Sequence, residues 1–444
     1  MQTEEQQFVA WCRSASPYIR AHRGATFVIY FGGEVASRSG FSSLVHDIAL
    51  LASIGVRVVV VHGARPQIEA GLRRAGFAPH VHRGLRVTDV QALTCTKAAV
   101  GAVRVEIEAL FSMGPPGSRP RVASGNFVTA RPVGVRNGID HHFTGEVRRI
   151  DAQGIQSRLE NGEIVLLSPI GYSPSGEVFN LSALEVAESV AVALCAPKLI
   201  LLMENPGIID AQGGLLRQLT QSEAERLALN TDETPELRSA VRSCRAGVRR
   251  AHLVDSRVDG ALLLELFTRD GLGTMISRTP YDQMRTATID DVAGVLELIT
   301  PLEDQGVLAR RSREKLELEI GHFTVLVRDQ SIIGCAALYP YSQEAIGEIA
   351  CLVVHPDYQN AGQADALLSA LTLQAKEANL KRLFVLTTQA AHWFLERGFI
   401  EARIEDLPLE RQGLYNYQRN SKIFTKELSL QQVAPAPSRS ANPF

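Results

Sequence analysis

Short apolar runs recur along the first two thirds of the chain, each followed by a stretch with helical spacing. Thr26-Phe-Val-Ile-Tyr30 reads as a strand and Ser42 to Ile54 as a helix. Val56 to Val61, interrupted only by Arg57, reads as a valine-rich strand of the kind buried on both faces. The rhythm continues with a helix from Pro66 to Ala75, a strand at Ile164-Val-Leu-Leu, a helix from Ala183 to Leu194, a strand from Lys198 to Met203 and a helix from Glu236 to Val248. Such alternation predicts an α/β sheet. Ahead of it the spacing predicts an amphipathic helix from Glu5 to Tyr18, broken near Pro17, and the Pro- and Gly-containing stretch from Gly114 to Gly162 reads as hairpins on the sheet edge. A break at Ser277-Arg-Thr-Pro-Tyr-Asp282 precedes a second region, which opens with a strand at Met284 and an Asp-capped helix after Asp290. Ser429 to Phe444 is rich in Pro, Ser, Gln and Asn and reads as a disordered tail. The expected organisation is therefore 1–22, 23–280, 284–428 and 429–444.

Composition narrows the function classes. At 444 residues the chain exceeds one comfortable core. Lys+Arg at 46 against Asp+Glu at 48 gives no electrostatic case for nucleic acid or an anionic membrane. The start, Met-Gln-Thr-Glu-Glu, lacks the basic-then-apolar form of a secretory signal, and no apolar run has the length of a membrane span. Cys12, Cys95, Cys195, Cys244, Cys335 and Cys351 show no C-x-x-C spacing, which suits reduced thiols in a cytoplasmic protein and suggests no metal site.

The most informative stretch is Glu348-Ile-Ala-Cys351-Leu352-Val353-Val354-His-Pro-Asp-Tyr-Gln359-Asn360-Ala361-Gly362-Gln363-Ala364-Asp-Ala-Leu367. An apolar strand runs into a Q-x-x-G-x-A turn and then a helix. That order aims backbone N–H groups and a helix N-terminus at one point, so a pyrophosphate is held without a lysine. The pattern resembles the acetyl-CoA signature of the GNAT superfamily of N-acetyltransferases, which implies acetyl-CoA as co-substrate over residues 351–354 and 359–364, no permanently bound cofactor, and a mixed, splayed sheet.

Residues 26–276 resemble the amino-acid kinase family. The landmarks, in order, are Phe31-Gly32-Gly33, Val-Val-Val-His62-Gly63, Gly84-Leu-Arg86-Val-Thr-Asp89, Pro169-Ile-Gly171, Leu199-Ile-Leu-Leu202 and Gly271-Leu-Gly273-Thr274. The resemblance implies an open αβα sandwich. The departures matter more. Tyr30 stands where such kinases carry Lys, Ala64-Arg65 interrupt the second phosphate loop, Leu184 replaces the organising aspartate, and Thr231-Asp-Glu-Thr-Pro235 replaces a Lys-bearing segment. Phosphoryl transfer depends on positioned positive charge, so none is expected. Arginine-regulated members of the family imply instead an effector site for L-arginine at Tyr18, His252, Leu253, Glu265, Gly271 and Gly273. A scaffold role for the lobe is the plainer alternative.

Acetyl transfer to an amine needs a base, because an α-amino group is mostly protonated at pH 7. Glu348, on the strand leading to the turn, is the candidate base, and the backbone N–H of Val354 the candidate oxyanion donor. Thr387 on the following strand, or alternatively Tyr415, would protonate the thiolate. Leu308-Ala-Arg310-Arg311-Ser312-Arg313-Glu314 and Arg419-Asn420-Ser421 resemble the R-S-R-E and R-N-S segments of acetylglutamate synthases. On that resemblance Arg311, Arg419 and Ser421 bind the carboxylates of L-glutamate, while Arg310 and Arg313 read as solvated. Together the two resemblances imply glutamate acetylation by direct transfer, feedback inhibition by arginine and a hexamer. Another amine or a protein lysine is the alternative substrate.

Overall fold

The computed structural model describes residues 4–113, 119–230, 235–268, 270–278, 283–328, 331–359, 362–416 and 420–428. Asn360, Ala361, Arg419, the 231–234 segment and the 429–444 tail, all singled out above, lie outside the described residues. The chain divides into two compact units, Met1–Tyr281 and Asp282–Phe444.

The first unit begins with helix α1, Glu4–His22. Pro17 sits inside it rather than ending it. An internal proline removes one backbone bond and costs roughly 3 kcal/mol, which tertiary contacts offset: Ala15 and His22 are buried, and the His22 ring is 2.9 Å from Leu266 O. The main sheet contains β1 (Thr26–Phe31), β2 (Arg57–His62), β3 (Val122–Ala123), β4 (Ile164–Leu167), β5 (Lys198–Met203), β6 (Gln218–Thr220), β7 (Arg250–Asp255) and β8 (Thr274–Ser277), in spatial order β6-β8-β7-β5-β1-β2-β4-β3. Only the β7/β8 pair is antiparallel. Successive side chains leave opposite faces of each strand. Val28, Val59 and Leu199 therefore pack with helices α5 (Ala183–Ala193) and α6 (Pro235–Arg245), whereas Phe27, Ile29 and Val58 pack with α2 (Phe41–Ser53), α4 (Val90–Phe111) and α7 (Ala261–Phe267). Helix α3, Arg65–Arg74, follows β2. Between residues 114 and 162 the segments do not simply decorate the edge. Val122–Ala123 extends the main sheet, and Val128–Pro132 with Gly145–Ile150 joins Ile170–Tyr172 and Val178–Asn180 in a separate four-stranded sheet.

The second unit is built on seven strands, β9 (Gln283–Thr286), β10 (Phe323–Arg328), β11 (Ser331–Tyr341), β12 (Ile346–Val354), β13 (Arg382–Thr387), β14 (Ile400–Ala402) and β15 (Lys422–Glu427), ordered β9-β10-β11-β12-β13-β15-β14. Helices α8 (Val292–Asp304) and α9 (Arg313–Glu319) lie against one face and α10 (Gln363–Glu377) against the other; α11 spans Leu409–Gly413. β12 and β13 run parallel from Ile346↔Arg382 to Ile349↔Val385, and no pairing continues beyond. The sheet is mixed and opens at this point.

Candidate active site

The opening lies beside an irregularity in β12. Pairing with β11 passes from Ala337↔Ala350 to Cys335↔Val353, so three residues of β12 advance against two of β11, and Cys351 takes φ 50°. A non-glycine residue in that region costs about 1–2 kcal/mol, and an extra residue bends a strand and re-aims its side chains. Here Ile349, Leu352 and Val354 pack on the α10 face, while Cys351 and Val353 turn to the α8 face. The His355 N–H donates to Ile333 O at 2.8 Å. By the alternation of an antiparallel ladder the Val354 N–H therefore faces away from β11, towards the side that β13 has left.

Beyond the strand, Gln359 Nε2 donates to Val354 O at 3.0 Å and ties the turn back to it. Gly362 caps α10 with φ 84°, a conformation favoured only in glycine. The first intrahelical bond of α10 runs from Ala366 N–H to Gly362 O, so the N–H groups of Gln363, Ala364 and Asp365 precede the ladder and face out of the helix N-terminus. Gln363 is buried and Ala364 packs against the core.

Glu348 sits opposite Tyr339 across the β11/β12 pair and is buried. Arg411, in α11, holds its carboxylate with both arms: Nε donates to Oε2 at 2.8 Å and Nη2 to Oε1 at 3.1 Å. Tyr341 OH adds a third bond at 3.3 Å. On the same face, the Tyr339 hydroxyl donates to Glu319 Oε2 at 2.8 Å. Arg311 reaches this cluster because Ser312 caps α9, accepting from Lys315 N, and because the Arg311 N–H donates to the buried Glu303 carboxylate at 3.1 Å. Burial opposes the Arg311 charge, but Cys351, Tyr339 and Glu319 more than offset it and raise its pKa. Burial pushes the Cys351 thiol up to about 11 despite Arg311, so that thiol is no nucleophile. Both Arg311 and Glu348 act on Cys351 electrostatically, which places them around one bulge. Arg310 and Arg313 are exposed and paired to Asp304 and Glu317.

Thr387, two residues beyond Val385, belongs by strand alternation to the α10 face, across the opened sheet from Glu348. Its Oγ1 accepts from Ala390 N at 2.9 Å and Gln389 N at 3.3 Å. Ser421 is buried, and its carbonyl accepts from Tyr415 OH at 2.7 Å. Sequence reasoning missed Arg411 and the tyrosine pair. Tyr339 and Tyr341 share one face of β11 by period two and were detectable; nothing in the local pattern marks Arg411.

In the first unit, Glu265 is a hub. Its Oε2 accepts from the N–H groups of Leu272 at 2.7 Å and Gly273 at 2.9 Å, and its Oε1 lies 2.6 Å from His252 Nδ1. Gly271 has φ 62°, and a Cβ at Gly273 would meet Leu253 O at 2.0 Å, so the turn requires both glycines. Burial, then Lys198, lowers the His252 pKa. Burial opposes the Glu265 carboxylate, but the His252 hydrogen bond and the two N–H groups win and lower its pKa. The pair is thus a neutral imidazole donating from Nδ1 to a carboxylate, and His252 Nε2 is a buried acceptor without a partner among the described residues. Leu253 is buried in β7, while Tyr18 is half-buried and packs beside His22 on α1.

A model of the amino acid kinase family matches residues 25–255, and one of the acetyltransferase (GNAT) domain matches residues 319–401. An amino-acid acetyltransferase of Pseudomonas putida is 53% identical over 95% of this chain and 99% of its own length, and one of Azotobacter vinelandii matches equally. The chain belongs to the amino-acid acetyltransferase family. It is therefore an acyltransferase that joins an amino-acid-kinase-like lobe to a GNAT domain. N-acetylglutamate synthase from Neisseria gonorrhoeae complexed with coenzyme A and L-arginine superposes with a TM-score of 0.87 at 38% identity, covering 95% of this chain and 99% of that one. A second structure of that enzyme, with coenzyme A and N-acetyl-glutamate, matches at 39% identity and a TM-score of 0.61 over the same shares.

Proposed function

We propose that this acetyltransferase converts acetyl-CoA and L-glutamate to N-acetyl-L-glutamate and CoA, the entry step of arginine biosynthesis, by direct transfer in a ternary complex. The observation that carries the reading is a buried carboxylate, Glu348, and a half-buried guanidinium, Arg311, set around the β12 bulge, beside an opened sheet and a glycine-capped helix N-terminus. The pyrophosphate of acetyl-CoA lies on the turn from Gln359 to Ala364, and its pantetheine arm runs along residues 351–354 in the opening. Glu348 takes the proton of the glutamate ammonium, directly or through one water, and Arg411 holds that carboxylate in place with two hydrogen bonds. The freed amine attacks the thioester carbon, and the oxyanion that forms meets the Val354 N–H. Collapse expels the CoA thiolate. Thr387 donates a hydrogen bond to the departing sulfur, because its oxygen already accepts two N–H groups and its own O–H remains to donate, whereas Tyr415 OH is engaged with Ser421 O; the proton that the attacking nitrogen gives up on collapse neutralises the thiolate. Arg311, Arg419 and Ser421 hold the two substrate carboxylates, a task suited to the planar fork of arginine.

The first unit serves as the regulatory lobe. L-arginine binds at Tyr18, His252, Leu253, Glu265, Gly271 and Gly273; its cationic groups offer only donors, and His252 Nε2 and the Glu265 carboxylate offer acceptors. The same lobe and α1 build a cytoplasmic hexamer. No helix among the described residues is long and apolar enough to cross a membrane. Thiol release from acetyl-CoA, measured with a panel of amino acids and then titrated with L-arginine, tests the whole reading. Equal rates with lysine and glutamate, or no response to arginine, would overturn the substrate or the effector assignment respectively. Light scattering of the purified chain checks the hexamer.

A further inference from the structure

β11 carries two tyrosines on one face, and each donates to a different carboxylate. Tyr341 OH goes to Glu348, and Tyr339 OH goes to Glu319 Oε2 at 2.8 Å. Glu319 closes α9, and its other oxygen lies 3.7 Å from Lys315 Nζ. The proton of the Tyr339 phenol is thereby committed, and its oxygen is left to accept. The cation beside it is Arg311, whose guanidinium lies within hydrogen-bonding reach of the Tyr339 hydroxyl and of the Cys351 sulfur. A hydroxyl that donates to a carboxylate is the better acceptor, because linked hydrogen bonds polarise one another. Burial and then the Glu319 bond raise the Tyr339 pKa against the pull of Arg311, so the group stays a neutral phenol at pH 7.

The rest of Arg311 is fixed as well. Its Nη1 donates to Ala309 O at 3.3 Å, and its backbone N–H donates to Glu303 at 3.1 Å. The His322 ring, 5.1 Å from the ring of Tyr339, supports the phenol, and Glu348 stands opposite it on β12. One phenol thus neighbours both the carboxylate assigned as base and the guanidinium assigned to the substrate. A planar guanidinium meets a carboxylate in one plane and at one distance, so its position decides how long a side chain it can reach.

The geometry points to Tyr339, oriented by Glu319, as the residue that places the Arg311 fork and so selects a five-carbon dicarboxylic amino acid over its four-carbon homologue and its amide. The inference rests on the glutamate site proposed above and adds what enforces its selectivity. Tyr339 acts through Arg311 and is a positioning residue.

Initial rates of thiol release by the full chain with L-glutamate, L-aspartate and L-glutamine test this, with the thermal midpoint measured alongside. In Tyr339→Phe the KM for glutamate should rise about 10-fold, the loss expected for one hydrogen bond to a charged group, while kcat and the KM for acetyl-CoA stay within about threefold. Aspartate and glutamine make little use of the fork, so the glutamate-to-aspartate and glutamate-to-glutamine ratios of kcat/KM should also fall about 10-fold. A merely structural tyrosine would lower all three amino acids in proportion. Removing the fork should silence the tyrosine: the Tyr339→Phe/Arg311→Ala double variant should match Arg311→Ala within about twofold. Should Tyr339→Phe fold poorly, Glu319→Gln, which keeps an acceptor for the phenol but drops the charge, should show the same pattern at about two- to fourfold. Unchanged substrate ratios, or additive effects in the double variant, overturn the proposal. An unchanged glutamate KM in Arg311→Ala overturns the glutamate-site reading and this proposal with it, which tells the two failures apart.

Discussion

Replacing Glu348 by Gln separates a proton acceptor from a merely structural carboxylate. The substitution conserves shape but removes the charge that meets Arg411 at 2.8 and 3.1 Å and Tyr341 at 3.3 Å. The Arg411 side chain is 22% exposed, so water takes up part of its lost pairing and the stability cost is about 1–3 kcal/mol, well short of that for a sealed ion pair. The loss in rate is larger. A positioned general base contributes roughly 10²–10⁴ in rate, so kcat at pH 7 should fall by that factor while the KM values change about threefold or less. The pH dependence is the decisive readout. With Glu348 present, glutamate is used as its ammonium form and kcat/KM stays nearly flat from about pH 7 to 8.5. In the Glu348→Gln variant no base remains to take the proton and the amine must arrive already neutral, so kcat/KM should climb about tenfold per pH unit below the amine pKa. The assay is thiol release from acetyl-CoA in buffers of matched ionic strength, with the thermal midpoint measured alongside to correct for unfolding. A variant within about threefold of the parent at pH 7, with a parallel pH profile, refutes the base assignment.

Other expectations follow from the same geometry. Arg311→Ala should raise the KM for glutamate about 30- to 100-fold, as expected for one lost bidentate contact, with the KM for acetyl-CoA nearly unchanged in initial-rate measurements. Gly362→Val has open space around its Cβ but must hold φ 84°, so it should cost about 1–2 kcal/mol in chemical denaturation of the second unit and raise the KM for acetyl-CoA. Asp291 is held down to about 2, chiefly by Arg285 and then by Thr288 against the effect of burial. Because that pKa is depressed, its stabilisation is complete above about pH 4 and disappears as pH falls towards 2, so Asp291→Asn should flatten that part of the acid-unfolding curve. Glu265→Gln should abolish inhibition by L-arginine in the thiol-release assay and lower the thermal midpoint of the first unit, since the same carboxylate holds the Leu272 and Gly273 N–H groups.

Much of this protein was legible in the linear pattern. The valine-rich run before His62 and the Lys198–Met203 strand are so uniformly apolar that only a sheet covered on both faces accommodates them, and Arg57 interrupts the first at its exposed end. The Q-x-x-G-x-A turn was equally readable, because a positive φ at Gly362 and a following helix leave few other structures. Ser312 as a helix cap explains why Arg311 points inward while Arg310 and Arg313 stay in solvent, although the sequence ranks the three only by resemblance.

What the chain's order of residues determined is local: where strands and helices form, where they end, and that the kinase-like lobe lacks the lysines of phosphoryl transfer. Those outcomes depend on periodicity, capping and residue identity, which act over a few neighbours. Tertiary structure decided the partners. Arg411 lies 63 residues from the carboxylate it grips, His252 meets Glu265 across 13, and the Thr144 hydroxyl donates to the Arg86 carbonyl 58 residues away. Even Pro17 lost its power to end a helix once α1 packed against α7. Burial supplies the reason: a guanidinium or carboxylate takes its chemistry from the charges enclosed with it, and only the folded chain selects which these are.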